Sequence, residues 1–158
     1  MARTLYIIDA YAQIFRAYYA IRGGMQSPVT GEPTHAVFGF TGMLLKLYSE
    51  LKPDFVAVAS DGPGKTFRDE LYAEYKATRD ETPADLKAQI PRVMELIEAF
   101  GIPVVRKEGL EADDVIASIA HQVLSDPNYE DVRIRIVSKD KDLEQLLCDR
   151  VTMFDIHK

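Results

Sequence analysis

Four short apolar runs in this chain each deliver the backbone to a carboxylate. "TLYII" (4–8) stops at Asp9, and "FVAVAS" (55–60) stops at Asp61. "IPVV" (102–105) leads to a segment opening Glu111-Ala112-Asp113-Asp114, and "VRIRIVS" (132–138) is followed by Asp140 and Asp142. Each run has the length of a strand. A fifth, "VTMF", spans 151–154.

The stretches between them have helical patterning. "YAQIFRAYYAI" stops at Gly23-Gly24, and a loop of turn formers, "GGMQSPVTGEPT", follows. Val37, Phe40, Leu44, Leu47 and Leu51 then place one apolar stripe on one helix face, and Pro53 bars continuation. Residues 67–79 read as a helix. A further helix opens on Thr82, Pro83 and Asp85, which are a capping hydroxyl, a proline at the first helical position and an acid in the first turn. Leu86, Ile90, Val93 and Ile97 form its inner face, Gly101 closes it, and Pro91 is expected to kink or split it. "EADDVIASIAHQVL" (111–124) is helical, and "SDPNYED" is a turn.

Strands thus alternate with helices along the whole chain, without internal repeat or linker. The runs lack in/out alternation, which predicts a mostly parallel sheet covered on both faces. The fold expected is one three-layer α/β domain with about five strands. Open sheets of this kind bind ligands beyond the carboxyl ends of their strands, which is where the acids fall.

If the strands are parallel neighbours, Asp9, Asp61, Glu111, Asp113, Asp114, Asp140 and Asp142 crowd one rim. Like charges so placed raise one another's pKa, and bound cations relieve them. All are hard oxygen donors, which favours Mg²⁺ or Mn²⁺ over zinc. His35, His121 and His157 show no paired spacing, and the lone Cys148, read as a small apolar residue near a helix end, makes no Cys/His cluster. A single cysteine also fits a reducing cytosol. The net charge of −6 at first opposes nucleic acid as a partner. Setting the seven carboxylates aside from the 25 acids, however, leaves 18 against 19 bases, so the acidity is concentrated in the proposed site.

Each element also has an ordinary structural reading. Acids in a first helical turn favour the macrodipole, aspartates after strands are common turn residues, and Asp140 and Asp142 can cap "LEQLL". The metal reading rests on four such positions meeting on one rim. Gly64-Lys65-Thr66 suggests a phosphate-cradling loop, but that loop needs a glycine at 59, where Ala59 stands, and Pro63 removes a backbone donor. Gly62-Pro63-Gly64 is better read as a turn releasing Asp61. Beyond it, Tyr72, Lys76 and Arg79 share a helical stripe. They suit a phosphate backbone and a stacked base, or a solvated face mixed with Glu74, Asp80 and Glu81.

With these residues in place, the chain resembles the 5′→3′ exonuclease domain found at the N-terminus of bacterial DNA polymerase I, a relative of the flap endonucleases. "GEPTHAVFGF", "GKTFRDELYAEYKATR", "LEADDVIASIA" and "SKDKDLEQLL" carry the resemblance, which covers essentially residues 1–158. It implies a resolvase-like or PIN-like domain that hydrolyses DNA, or RNA–DNA hybrids, at or near a 5′ end or flap, in the cytoplasm. It implies acidic ligands at Asp9, Asp61, Glu111, Asp113, Asp114, Asp140 and Asp142, holding two Mg²⁺ or Mn²⁺ ions in the complete enzyme. Lys76 and Arg79 would contact phosphate from an arch-like segment spanning about 62–92. Arg16 in "IFRAYYA" matches a basic DNA-contacting position, with a structural ion pair as the equal alternative.

Two departures stand out. The usual Asp-Gly after the first strand is Asp9-Ala10 here, and the helix–hairpin–helix region that follows in the family lies beyond Lys158. The resemblance therefore implies the N-terminal part of a longer nuclease, with a polymerase region in the same chain as one arrangement, and weak activity in isolation. Two-metal phosphodiester hydrolysis is the expected mechanism. Asp113, Asp114 and Asp140 are the first choices as inner ligands, with Asp9, Asp61 and Asp142 bound directly or through water. Competing readings are a strand-end phosphatase, which needs a second acid where Tyr11 stands, a nucleotide-binding module, and a non-catalytic DNA-binding scaffold.

Overall fold

In the computed structural model, which describes residues 2–63 and 82–157, the five runs become strands β1 (Arg3–Asp9), β2 (Phe55–Ala59), β3 (Val104–Val105), β4 (Val132–Val137) and β5 (Val151–Phe154). The helices are α1 (Ala10–Ala20), α2 (His35–Lys46), α3 (Ala84–Ala99) and α4 (Ala112–Ser125). The helix expected over 67–79, with Gly64-Lys65-Thr66, Tyr72, Lys76 and Arg79, lies outside the described residues.

The strand order is β3-β2-β1-β4-β5, and every neighbouring pair is parallel. All five strands therefore present their carboxyl ends to one rim. The chain moves outward one way from β1 through β2 to β3, then returns to the other side of β1 with β4. That reversal puts a topological switch point between β1 and β4, where the diverging connections leave a crevice.

Side-chain parity explains the layers. Tyr6 and Ile8 of β1 join Ile14 of α1, Phe40 and Leu44 of α2, and Leu86, Val93 and Ile97 of α3 on one face. Leu5 and Ile7 point the other way and join Val115, Ile116 and Ala120 of α4 with Ile134 and Ile136 of β4. Because both faces of β1 are covered, its sequence shows no alternation. β4 differs from that expectation. Its isoleucines are buried on the α4 side, whereas Arg133 is exposed. The Arg135 guanidinium lies over the rings of Phe154 and Tyr6, at 5.4 and 5.7 Å, and donates to Tyr6 Oη at 3.0 Å. Helices α1 and α2 cross closely at Gly39, where a Cβ would stand 2.8 Å from Ala17 Cβ.

Three local expectations are corrected. Pro83 is the N-cap of α3 rather than its first helical residue, and makes no side-chain capping bond. Pro91 neither splits α3 nor ends it; it is exposed, so its missing N–H falls on the water-facing side. Cys148 is exposed, in the turn before β5. The stripe through Leu51 ends in a π-helical turn, Leu47–Leu51, after which Lys52 takes a left-handed conformation (φ 45°) and Pro53 prevents resumption.

A buried polar side chain ties the helical layer together. Thr34, the N-cap of α2 by position, makes no capping bond. The cap comes instead from Gln89 of α3, whose side chain is fully buried. Its Oε1 accepts from Ala36 N at 2.6 Å and Val37 N at 3.3 Å, and its Nε2 donates to Asp85 O at 3.1 Å. Tyr18 of α1 donates from its hydroxyl to Asp85 at 2.7 Å at the exposed edge of the same network. Replacing Gln89 with leucine would strand two helix-start N–H groups, at a cost of about 2–3 kcal/mol. Tyr18→Phe, losing one exposed bond, is expected to cost no more than about 1 kcal/mol. Urea denaturation of the two variants checks this ranking, and a Gln89→Leu cost below about 0.5 kcal/mol would contradict it.

Candidate metal centre

Asp9 is the last residue of β1 and lies at the switch point. The register that sets Ile8 beside Val137 brings Ser138 next to it. Ser138 Oγ donates to Asp9 Oδ2 at 3.3 Å and accepts from Asp140 N at 3.1 Å. Both Asp9 and Ser138 are buried. Burial pushes the Asp9 carboxyl up to about 6; nearby Asp61 and Asp140 add to this, while the Ala12 and Ser138 bonds oppose it.

The turn after β4 is shaped by Asp140, whose Oδ1 accepts from Asp142 N at 2.9 Å and caps the short 3-10 helix Lys141–Leu146. Leu143, buried at the back of that helix, anchors it to the α4 side of the core. The ordinary capping reading of Asp140 is therefore realised, and the same turn presents Asp140 and Asp142 toward α4.

The start of α4 sorts the remaining acids. Glu111 is the N-cap, and Asp114 Oδ2 accepts from Glu111 N at 3.0 Å to complete a capping box. Asp61 reaches across from β2 and accepts from Ala112 N at 2.7 Å. The loop carrying Asp61 is held by Gly62, which donates its N–H to Leu110 O at 2.9 Å. A Cβ on Gly62 would fall 1.8 Å from the Lys107 carbonyl oxygen, so glycine is required there. Asp61 and Asp114 thus order the first turn of α4, and Asp113 is left facing the β4 turn.

The result is a trio. One carboxylate oxygen from each of Asp113, Asp140 and Asp142 lies within 4.8 Å of the others, the only such grouping of three potential ligands among the described residues. Asp142, rather than Asp114, completes it. Glu111 and Asp114 line the same cleft of about 400 Å³ together with Asp113, Asp142 and Gln145. Burial pushes the Asp113 carboxyl up to about 6, and Asp140, Asp9, Glu111 and Asp142 push in the same direction. Among the described residues, no ion pair reaches Asp113, Asp140 or Asp142.

The donor set fits a hard divalent cation. Oxygens around an octahedral ion stand roughly 3–4 Å apart, so a 4.8 Å span suits an ion held partly through water. None of the three histidines belongs to the trio. Arg16 is in an ion pair, with Nη1 3.3 Å from Asp155 Oδ1, and also borders a groove of about 550 Å³ with Tyr19, Lys139 and Asp140. Sequence reasoning missed Ser138, Gln13 and Asp155. Gln13 is buried and donates to Val137 O at 3.2 Å, just behind the β4 turn. No spacing rule marks these three, because their partners lie on distant strands and helices.

The profile of the family described as "5'-3' exonuclease, N-terminal resolvase-like domain" matches residues 4–158. DNA polymerase I of Chloroflexus aurantiacus is 44% identical over 147 residues, which is 93% of this chain and 15% of that protein. The 5'-3' exonuclease of Aquifex aeolicus is 37% identical over 153 residues, 97% of this chain and 51% of that protein. The chain thus spans about half or less of the length of these relatives. Among solved structures, T5 D15 protein co-crystallised with metal ions aligns with a TM-score of 0.73 at 23% identity, covering 96% of this chain and 55% of that one. A complex of the bacteriophage T5 D15 flap endonuclease with DNA and metal ions gives 0.69 at 23%, covering 96% and 54%. At that identity the likeness is one of fold. No helix among the described residues is long and apolar enough to cross a membrane.

The metal-free cluster should weaken the fold it sits on. A carboxylate whose folded pKa is raised to about 6 binds protons more tightly folded than unfolded, so stability falls as pH rises from about 4 through 6. Asp113→Asn removes that penalty. It is expected to stabilise the metal-free protein by about 1 kcal/mol at pH 7, discounted for the partial exposure of Asp113. Below pH ~4 the difference should vanish. The same variant should weaken Mn²⁺ binding in calorimetry while preserving the circular dichroism spectrum. Unchanged binding would remove Asp113 from the site.

Proposed function

The chain belongs to the 5'-3' exonuclease family, as its N-terminal resolvase-like domain, and from that premise we propose that it forms the metal-binding part of a nuclease that hydrolyses DNA phosphodiester bonds at or near a 5′ end or flap. The convergence of Asp113, Asp140 and Asp142 at the sheet's switch point is the observation that carries this reading. The relatives named 5'-3' exonuclease and DNA polymerase I support the substrate class. The T5 flap endonuclease complex with DNA and metal ions supports the pairing of such a fold with both.

In this reading Asp113, Asp140 and Asp142 hold the cation, Mg²⁺ or Mn²⁺, with Asp9, Asp61, Glu111 and Asp114 completing the acidic surround and two ions in the complete enzyme. Such ions, when bound, supply a water of lowered pKa and stabilise charge on the leaving 3′ oxygen. The chain's own residues do the positioning. Ser138 fixes Asp9 and the Asp140 backbone, and Asp61 fixes the first turn of α4. Lys76 and Arg79 offset charge on the scissile phosphate, and Tyr72 and Arg16 contact the nucleic acid. An RNA–DNA hybrid is a further substrate, a polymerase region in the same longer chain a further partner, and the cytoplasm the compartment. A strand-end phosphatase is disfavoured, because Tyr11 stands where it would carry its second acid.

The direct test is incubation of a labelled 5′-flap DNA with Mn²⁺, comparing this chain with a form extended past Lys158. Cleavage should require the metal, disappear with EDTA and fall at least about 100-fold in Asp140→Asn. Lys76→Ala in the extended form should lower cleavage far more than it changes Mn²⁺ affinity. Metal-independent cleavage, or none in either form, would overturn the nuclease reading.

A further inference from the structure

Immediately behind the trio, two cations and one carboxylate form a second cluster. Asp155 follows β5, and its side chain is only 15% exposed. Its Oδ1 lies 3.3 Å from Arg16 Nη1 and accepts from His157 N at 3.0 Å. Its Oδ2 lies 3.0 Å from Lys139 Nζ. Asp155 thus joins α1, the exit of β5 and the turn after β4 in one ion cluster.

Lys139 directly precedes Asp140 in the chain, and both border the groove that Arg16 lines. A lysine ammonium on a flexible four-carbon stem pairs with whichever carboxylate it reaches. Asp140, the chain neighbour of Lys139, belongs to the acidic trio with Asp113 and Asp142. Lys139 is nonetheless paired with Asp155. We propose that Asp155 is a positioning residue that holds Lys139 off the acidic trio, so that the trio's charge stays available to a divalent cation instead of being neutralised by its chain neighbour.

The proposal rests on the metal reading of the trio and assigns a role outside it. A neutral side chain at 155 releases an ammonium one residue from a ligand. At contact distance in a partly solvated site, a unit positive charge competes with the incoming ion for the same oxygens and weakens its binding. The coupling runs through Lys139, so removing that charge undoes the effect.

The experiment is Mn²⁺ titration by calorimetry of four proteins, namely wild type, Asp155→Asn, Lys139→Met and the double variant, each checked for an unchanged circular dichroism spectrum and its melting temperature. Asp155→Asn is expected to raise the Mn²⁺ Kd about five- to tenfold. The double variant should return to within about twofold of wild type, and Lys139→Met alone should bind at least as tightly as wild type. A double variant as weak as Asp155→Asn would show a general structural role and overturn the proposal, as would an Asp155→Asn Kd equal to wild type. If Asp155→Asn does not fold, the comparison falls to Lys139→Met, and weaker Mn²⁺ binding there overturns the proposal. Absence of Mn²⁺ binding in wild type would overturn the metal reading first and this inference with it, a result distinct from the others.

Discussion

The parallel pairing of β1 with both β2 and β4 is the constraint from which the rest of the molecule follows. Its register aligns three strand ends and the start of α4 within reach of one another, although they are scattered from residue 9 to residue 142. Apolar side chains secure that register. Leu5, Tyr6, Ile7 and Ile8 send alternate residues into two cores, and each core is sealed by its own helices. A slip of one position would exchange the two faces of β1 and move Asp9 off the rim. The hydrophobic effect thus sets the register that gathers the charges, and hydrogen bonds to Asp61, Asp114 and Asp140 fix the turns that carry them.

Such a site carries an electrostatic cost in the metal-free protein, and the structure shows how the cost is contained. Some acids are given backbone partners. Asp61 and Asp114 take helix-start N–H groups, where negative charge is favoured by the helix dipole, and Asp140 caps a 3-10 turn. Asp9 is buried and hydrogen-bonded to Ser138. The strain concentrates on Asp9 and Asp113, the two carboxyls of the site pushed up to about 6. Structural and chemical readings of an acidic residue are therefore not exclusive here, because the same carboxylate shapes the turn and contributes to the field. The neighbouring cations, Arg16 and Lys139, are occupied by Asp155.

The sheet and the acidic rim were legible in the sequence because both are written locally. Apolar runs of strand length, each ending on an acid, imply the strand count, and the helices between them imply parallel pairing. Asp9, Asp61 and Asp140 follow from position alone. Residues whose role depends on a distant partner were not legible. Gln89 reads as one polar residue in an amphipathic helix, yet it caps α2 from 53 positions away. Ser138 reads as the end of a strand, and Asp155 as a turn acid. Pro91 does not split its helix because it lies on the water-facing side, and the Arg133/Arg135 alternation of β4 was masked by the apolar residues around it. Asp142, and not Asp114, joins Asp113 and Asp140 in the close trio, since helix-start spacing does not say which acid will be used for capping.

If these carboxylates are a divalent-cation site, the incoming ion must displace protons from Asp9 and Asp113, which burial pushes up to about 6. Calorimetric Mn²⁺ titration in buffers of differing ionisation enthalpy measures this most directly, because it counts the protons displaced on binding. With Asp9 and Asp113 raised to about 6, binding at pH 6 should release on the order of one proton, falling toward zero by pH 8. Mn²⁺ binding that releases no protons at pH 6, with an affinity independent of pH between 5 and 8, would contradict it.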